Sequence, residues 1–298
     1  MRTEPAMLAP RLLQHELNPY PKDNIRYVPT IEESVERLRA VTSAQVAELY
    51  HDYLGAQSGE VTIVGEFDPK ACLPVLKETF SGWKAPKAYA RIASPFTTET
   101  ITSQHKIPTP DKANATYTSG LLFPLQDDDP QYPALVIGNY ILGGGTLSSR
   151  LGNRIRQKDG LTYGVTSSFT ASSEDKRGGL TITAICNPKN MTHVEQDVQE
   201  ELDRLLRDGV TADELQKAKE GFLQARKVGR SSDVALAGLL NTLRHLGRTM
   251  AYEADLEKNI ESLTADQIQV AIRKYFDPKK LVIVSAGDFE AKAAATVQ

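Results

Sequence analysis

Two segments, VTSAQVAELYHDYLGAQSGEVTIVGEFD (residues 41–68) and LTADQIQVAIRKYFDPKKLVIVSAGDFE (residues 263–290), align without a gap at an offset of 222. Thr42 meets Thr264, Gln45 meets Gln267, Tyr53 meets Tyr275, Gly65 meets Gly287 and Phe67 meets Phe289. Each segment opens on T-x-x-Q, a capping box in which the two side chains satisfy free N–H groups at a helix start. Each continues as an amphipathic helix and runs into a β-rich stretch that ends on glycine. Five identities on one offset point to a duplicated unit. The second copy then fills roughly 69–290, and the first keeps only its closing part, so the chain reads as a fragment of a longer protein.

Composition fits that reading. The chain has 298 residues, 40% hydrophobic and 24% charged, as expected of a globular protein with a real core. A net charge of -3 argues against a general nucleic-acid or membrane-surface role. No apolar run approaches the length of a membrane span. Cys72 and Cys186 stand far apart in no metal or redox motif and read as small apolar residues.

Outward from the repeat, Thr30 and Glu33 form another capping box, opening a helix over IEESVERLRAV. EVTIVGEF reads as a strand, and PKACLPVLKETFSGW as a helix with Pro in its first turn. Residues 84–112 carry four prolines and suit a linker with one short strand around 98–106. NATYTSGLLFPL reads as a buried strand and QYPALVIGNYIL as a central helix. A helix is expected over 146–158, capped by Thr146 or Ser148 and stopped at Gly160. LTYGVTSSFTAS and GGLTITAICN read as a hairpin. Helices follow, with capping boxes at Thr192/Glu195 and Thr211/Glu214, the second continuing past Ser231 to about Arg248. The order predicts an α+β fold: sandwich domains of mainly antiparallel sheet with helices packed on one face. The expected organisation is the C-terminal part of a first α/β domain over 1–85, a linker and first strand over 86–112, and a complete second domain over 98–298.

The densest chemistry lies in GGGTLSSRLGNRIRQKDGLTYGV (residues 143–165). A phosphate loop would need G-x-x-x-x-G-K-[ST] after a strand, and here an apolar helix precedes the glycines and no such lysine follows. The glycines suit a turn between helices, with Arg150 and Arg154 solvated or ion-paired. Arg156 borders the apolar stripe near the helix C-terminus, and a reversal at Gly160 brings Tyr163 back beside it. A guanidinium and a phenol so placed can hydrogen-bond a peptide carbonyl or a developing oxyanion. The plainer alternative is a salt-bridging Arg and a half-buried Tyr.

This stretch resembles the second-half signature of the insulinase/pitrilysin family of zinc metallopeptidases: a Gly-rich turn, S-R-L, a helix ending in arginine, then G-L-x-Y. NPYPKDNIRYVPTIEESVERLRAVT, GEVTIVGEFDP, YPALVIGNYILGGG and the closing repeat segment carry the likeness along nearly the whole chain. The resemblance implies duplicated α/β domains and a clam-like peptide chamber. It also implies that Arg156 and Tyr163 hold the substrate backbone and help to stabilise the tetrahedral intermediate. The family's zinc site uses H-x-x-E-H on a helix. His15, His51, His105, His193 and His245 do not form that motif, so no metal and no cofactor is expected on this chain. Zinc is expected on an N-terminal half or partner subunit of the complete enzyme, and the chain alone is expected to be inactive. The rival expectation is a noncatalytic structural or interaction subunit with the same fold. The partners implied are the zinc-bearing half and a peptide, with no nucleic acid and no membrane span. The compartment is not legible from these residues; the resemblance leans weakly to the bacterial periplasm or export.

Overall fold

A computed structural model of the chain describes residues 3–97, 102–145 and 148–289. These fall into two compact units. The larger comprises Met1–Ser34, Ser94–Phe222 and Asn259–Gln298, and the smaller Val35–Ala93 and Leu223–Lys258.

The larger unit is built on a five-stranded sheet of order β1-β5-β2-β4-β3. Its strands are β1 (Gln104–Pro108), β2 (Ala115–Phe123), β3 (Thr162–Ala171), β4 (Gly178–Cys186) and β5 (Val282–Gly287). Only β1 and β5 run parallel; the other pairs are antiparallel. β2 is the middle strand, which explains its unbroken apolar and small-residue run: both its faces are covered. The hairpin of β3 and β4 forms as expected, with β3 at the sheet edge. Residues 98–101 of the strand expected around 98–106 lie outside the described residues, and β1 begins at Gln104.

One face of the sheet carries α5 (Tyr132–Asn139), α6 (Met191–Asp208) and α10 (Ala265–Tyr275). Ile155, Ile182, Val198, Leu202, Ile268 and Ile272 are buried there, and Phe123, Phe169, Tyr275 and Phe276 form an aromatic cluster. An additional helix, α1 (Pro5–Leu17), seats Ala9, Leu13 and Leu17 on Val282, Val284 and Ala286. Ser285, one residue on from Val284, meets Glu195 of α6 at 2.5 Å, and successive strand residues point to opposite faces. α1 therefore covers the face opposite α6.

The larger unit begins the remaining helices. α2 (Ile31–Ala40) starts on the Thr30/Glu33 box, with bonds of 2.9 and 3.2 Å. α7 (Ala212–Gly229) starts on Thr211/Glu214, with bonds of 2.8 and 3.2 Å. The Thr192/Glu195 box does not form: α6 begins at Met191, before the expected cap, with Asn190 as an N-cap that makes no side-chain bond. Glu195 is instead drawn to Ser285.

The smaller unit holds α3 (Ser43–Tyr53), α4 (Pro69–Phe80) and α8 (Asp233–His245). The expected helix from Thr211 to Arg248 is thus two helices, α8 being capped by Ser232 after a turn at Arg230–Ser232. α9 (Met250–Ser262) follows. The strand expected over EVTIVGEF does not form; residues 60–64 are extended coil held to α8 by Asn241, whose Nδ2 donates to Glu60 O at 3.3 Å. Its equivalent in the repeat, β5, is a strand because β1 and β2 flank it. No strand flanks residues 60–64 among the described residues.

Both repeat capping boxes form, Thr42 with Gln45 and Thr264 with Gln267. The offset also brings α2 onto all but the first three residues of α9, so the correspondence extends to residue 31.

Candidate functional site

The stretch 143–165 links α5 to β3. α5 continues as a π-helical turn over Tyr140–Gly144, closed by Gly145 N–H donating to Tyr140 O at 2.8 Å. Gly143 lies so close to β3 that a Cβ would stand 2.5 Å from the Ser167 amide nitrogen. Close approach, rather than a left-handed turn, is what this glycine supplies: φ is negative at Gly145, and none of the three is among the positive-φ glycines. Thr146, one of the two expected caps, lies outside the described residues, and Ser148 Oγ faces Gly145 O at 3.4 Å instead. Ser149 does the capping, its Oγ accepting from Gly152 N–H at 3.2 Å.

A π-helix follows over Gly152–Lys158, a wide turn that is rare in proteins and frequent at functional sites. Asp159 N–H donates to Arg154 O at 3.1 Å, and Gly160 reverses the chain at φ 64. Leu161 N–H then folds back to Ile155 O at 2.9 Å. The reversal expected at Gly160 is therefore present. It delivers the chain into β3 at a β-bulge: Thr162 pairs with Cys186 and Gly164 with Ile185, leaving Tyr163 as the extra residue. Thr162 Oγ1 holds the bulge, 2.5 Å from Ile185 O, and accepts Gly164 N–H at 3.1 Å. Bulges of this kind re-aim a side chain at the rim of a sheet. Tyr163 is 65% exposed.

The three arginines divide sharply. Arg150 is mostly buried and binds Glu214 with both ends of its fork, at 2.7 and 2.8 Å, and Gly209 O at 2.7 Å. Burial acts to raise the Glu214 carboxyl, but Arg150 and the Thr211 N–H overcome it and hold the group below its usual range. Arg154 lies 2.7 Å from Asp159 and 3.2 Å from Asp197, and hydrogen bonding to Asp197 raises its already high pKa. The Arg156 side chain is exposed and makes no hydrogen bond or ion pair among the described residues; neither does the side chain of Tyr163. The first two arginines thus pin the π-helix to α7 and α6, and the third is left available. No hydrogen bond joins Arg156 to Tyr163 among the described residues.

Arg156 stands on the wall of a cleft of about 860 Å³ between this helix and α7. Tyr163 is not among the residues lining it.

The histidines do not converge. His15 Nδ1 meets Val28 O at 2.8 Å, His51 pairs with Asp52, His105 faces Glu16 at 3.6 Å, and His245 faces Glu60 at 3.3 Å. His193 is exposed on α6. Among the described residues no group of three or more His, Cys, Asp or Glu side chains is placed to hold a metal ion. The donors present among the described residues do not fit a zinc site.

The family model described as Peptidase M16 inactive domain matches residues 40–222, more than half of the chain. The chain belongs to that family. It is 38% identical over 89 residues to an uncharacterised zinc protease of Bacillus subtilis (strain 168), covering 30% of this chain and 21% of that protein. Its fold is similar to the crystal structure of a peptidase M16 inactive domain from Pseudomonas fluorescens, with a TM-score of 0.79 at 26% identity, covering 98% of this chain and 67% of the other. The periplasmic protease PqqL from Escherichia coli shares the fold at a TM-score of 0.56 and 17% identity, over 75% of this chain and 24% of PqqL. The chain spans roughly a fifth to a third of the length of the curated relatives it matches. No helix among the described residues is long and apolar enough to cross a membrane.

Proposed function

We propose that this chain is the C-terminal part of a zinc-dependent peptidase, forming the substrate-binding wall of a peptide chamber. The zinc motif would lie on an N-terminal half or partner subunit, and that half would supply the metal-activated water. Membership of an inactive-domain family, together with relatives named as zinc proteases, supports this division of labour. So does the repeat, which is consistent with a first domain ending near residue 85, a linker over 86–112 and a second domain over 98–298. Export to a periplasm is the compartment this reading favours; PqqL, which shares the fold, is described as periplasmic.

The observation that carries the proposal is the availability of Arg156 and Tyr163. Two neighbouring arginines are committed to carboxylates, and the bulge turns Tyr163 outward. In the assembled enzyme the Arg156 guanidinium donates to a peptide carbonyl oxygen, and the Tyr163 hydroxyl donates to the oxyanion that develops beside it. Donors that meet charge formed only in the transition state act on kcat rather than on binding alone.

Arg156→Ala in the complete enzyme should lower kcat/KM by about 10²-fold, and Tyr163→Phe by about 10-fold or more, both without a change in Tm. Unchanged kinetics in both variants would defeat the assignment. An H-x-x-E-H sequence missing from the complete gene and from every partner that co-purifies would favour the structural-subunit reading instead.

A further inference from the structure

We propose that the 860 Å³ cleft beside Arg156 is a binding site for one large apolar side chain of the bound peptide. The inference rests on the reading that Arg156 holds the peptide backbone. It adds the part of the substrate that this wall selects.

The cleft has the size of a ligand site. Its floor is apolar: Ile141 and Ala218 are buried beneath it, and the Tyr140 ring forms one side. That ring is fixed in two ways. Its edge meets Phe222 at 5.9 Å and 86°, and α7 passes against it at Gly221, where a Cβ would stand 2.7 Å from the Tyr140 hydroxyl. A glycine at that position lets the helix and the ring touch, which seats the ring against α7.

Of the cations that line the cleft, two are already paired. Arg150 is neutralised by Glu214, and Lys217 by Asp213 at 2.8 Å. A charged side chain entering the cleft would have to compete with these pairs, whereas an apolar one leaves them intact and removes only apolar surface from water. Arg156, the lining cation without a partner among the described residues, stands at the wall, where a backbone carbonyl of the same peptide can reach it.

The test is calorimetric titration of the purified full chain with capped pentapeptides Gly-Gly-X-Gly-Gly, where X is Gly, Leu, Phe or Glu. Leu and Phe should bind about tenfold or more tighter than Gly, with Glu no tighter than Gly. Asn153→Trp, on the exposed rim, should cut the Leu and Phe advantage to about threefold or less while leaving the melting temperature unchanged. Equal binding of all four peptides overturns the proposal. So do tightest binding of the Glu peptide, absence of all binding, or a Leu and Phe preference that survives Asn153→Trp. Arg156→Ala separates the two readings: it should weaken all the peptides by the same factor. If it weakens none while the size preference persists, the cleft stands and the backbone role of Arg156 falls.

Discussion

Arg156 is free because its neighbours on the same helix are not. Glu214 is 64 residues from Arg150, and Asp197 is 43 from Arg154, so neither partnership is legible in the local sequence. What was legible is the periodicity that places Arg156 off the apolar stripe and Gly160 at the turn. Removing Arg150 tests how firmly this helix is held. Arg150→Ala leaves Glu214 partly buried without its fork and should cost about 2–3 kcal/mol, read as a lower urea midpoint with unchanged m. The same pair gives a pH dependence. A carboxyl held below its unfolded pKa stabilises the fold above that unfolded value, and the contribution is lost as pH falls through the folded value. The Arg150→Ala protein should therefore lose less stability on acidification than the parent, measured by urea titration from pH 6 downward.

At the scale of elements, what the chain encodes locally and what it needs from afar separate cleanly. Capping boxes at Thr30, Thr42, Thr211 and Thr264 are legible and form, with donor and acceptor three residues apart, whereas the box read at Thr192 does not form because Ser285 of β5 holds Glu195. The strand over EVTIVGEF was not decided by its own residues. The equivalent residues of β5 become a strand only between β1 and β2, and sheet pairing is non-local. α1 was missed because its proline-containing sequence gives a weak local signal, and only its seat on β5 shows its role. The Thr30 box also carries a pH signature. Glu33 accepts from Lys22, the Thr30 N–H and the Tyr27 hydroxyl, which lower its pKa from 4.5 to about 2. Its stabilising effect is complete above 4.5 and disappears toward 2, so Glu33→Gln should flatten the melting curve over that window. Gly160→Ala places an L residue at φ 64 and should cost about 1–2 kcal/mol. Gly143→Ala has no unfavourable φ, yet its Cβ meets the β3 backbone at 2.5 Å. It should be the more destabilising of the two, an order that thermal melts can reverse.

At the scale of the whole molecule, the two copies of the repeat share one pattern and differ in what covers it. Ile260, Ile268 and Ile272 are fully buried, and their counterparts at the 222 offset, Leu38, Val46 and Tyr50, are 73%, 54% and 57% exposed. No residue between 35 and 93 is fully buried. The amphipathic pattern is written twice, and only in the second copy do a sheet and the α5 helix lie against it. An apolar surface of this extent is what protein interfaces cover. On the proposed function, strands and a helix equivalent to β2 and α5 would cover it. Hydrogen exchange on the chain by itself should then show α10 protected close to the global stability, while α3, despite its equally good capping box, exchanges through small local openings. Joining the proposed N-terminal half should raise protection at Val46, Tyr50 and Tyr53 and leave Ile268, Ile272 and Tyr275 where they were. Equal protection of α3 and α10 in the isolated chain would remove the basis for an absent covering layer. Protection of α3 that stays low in the joined enzyme would mean that the layer lies elsewhere.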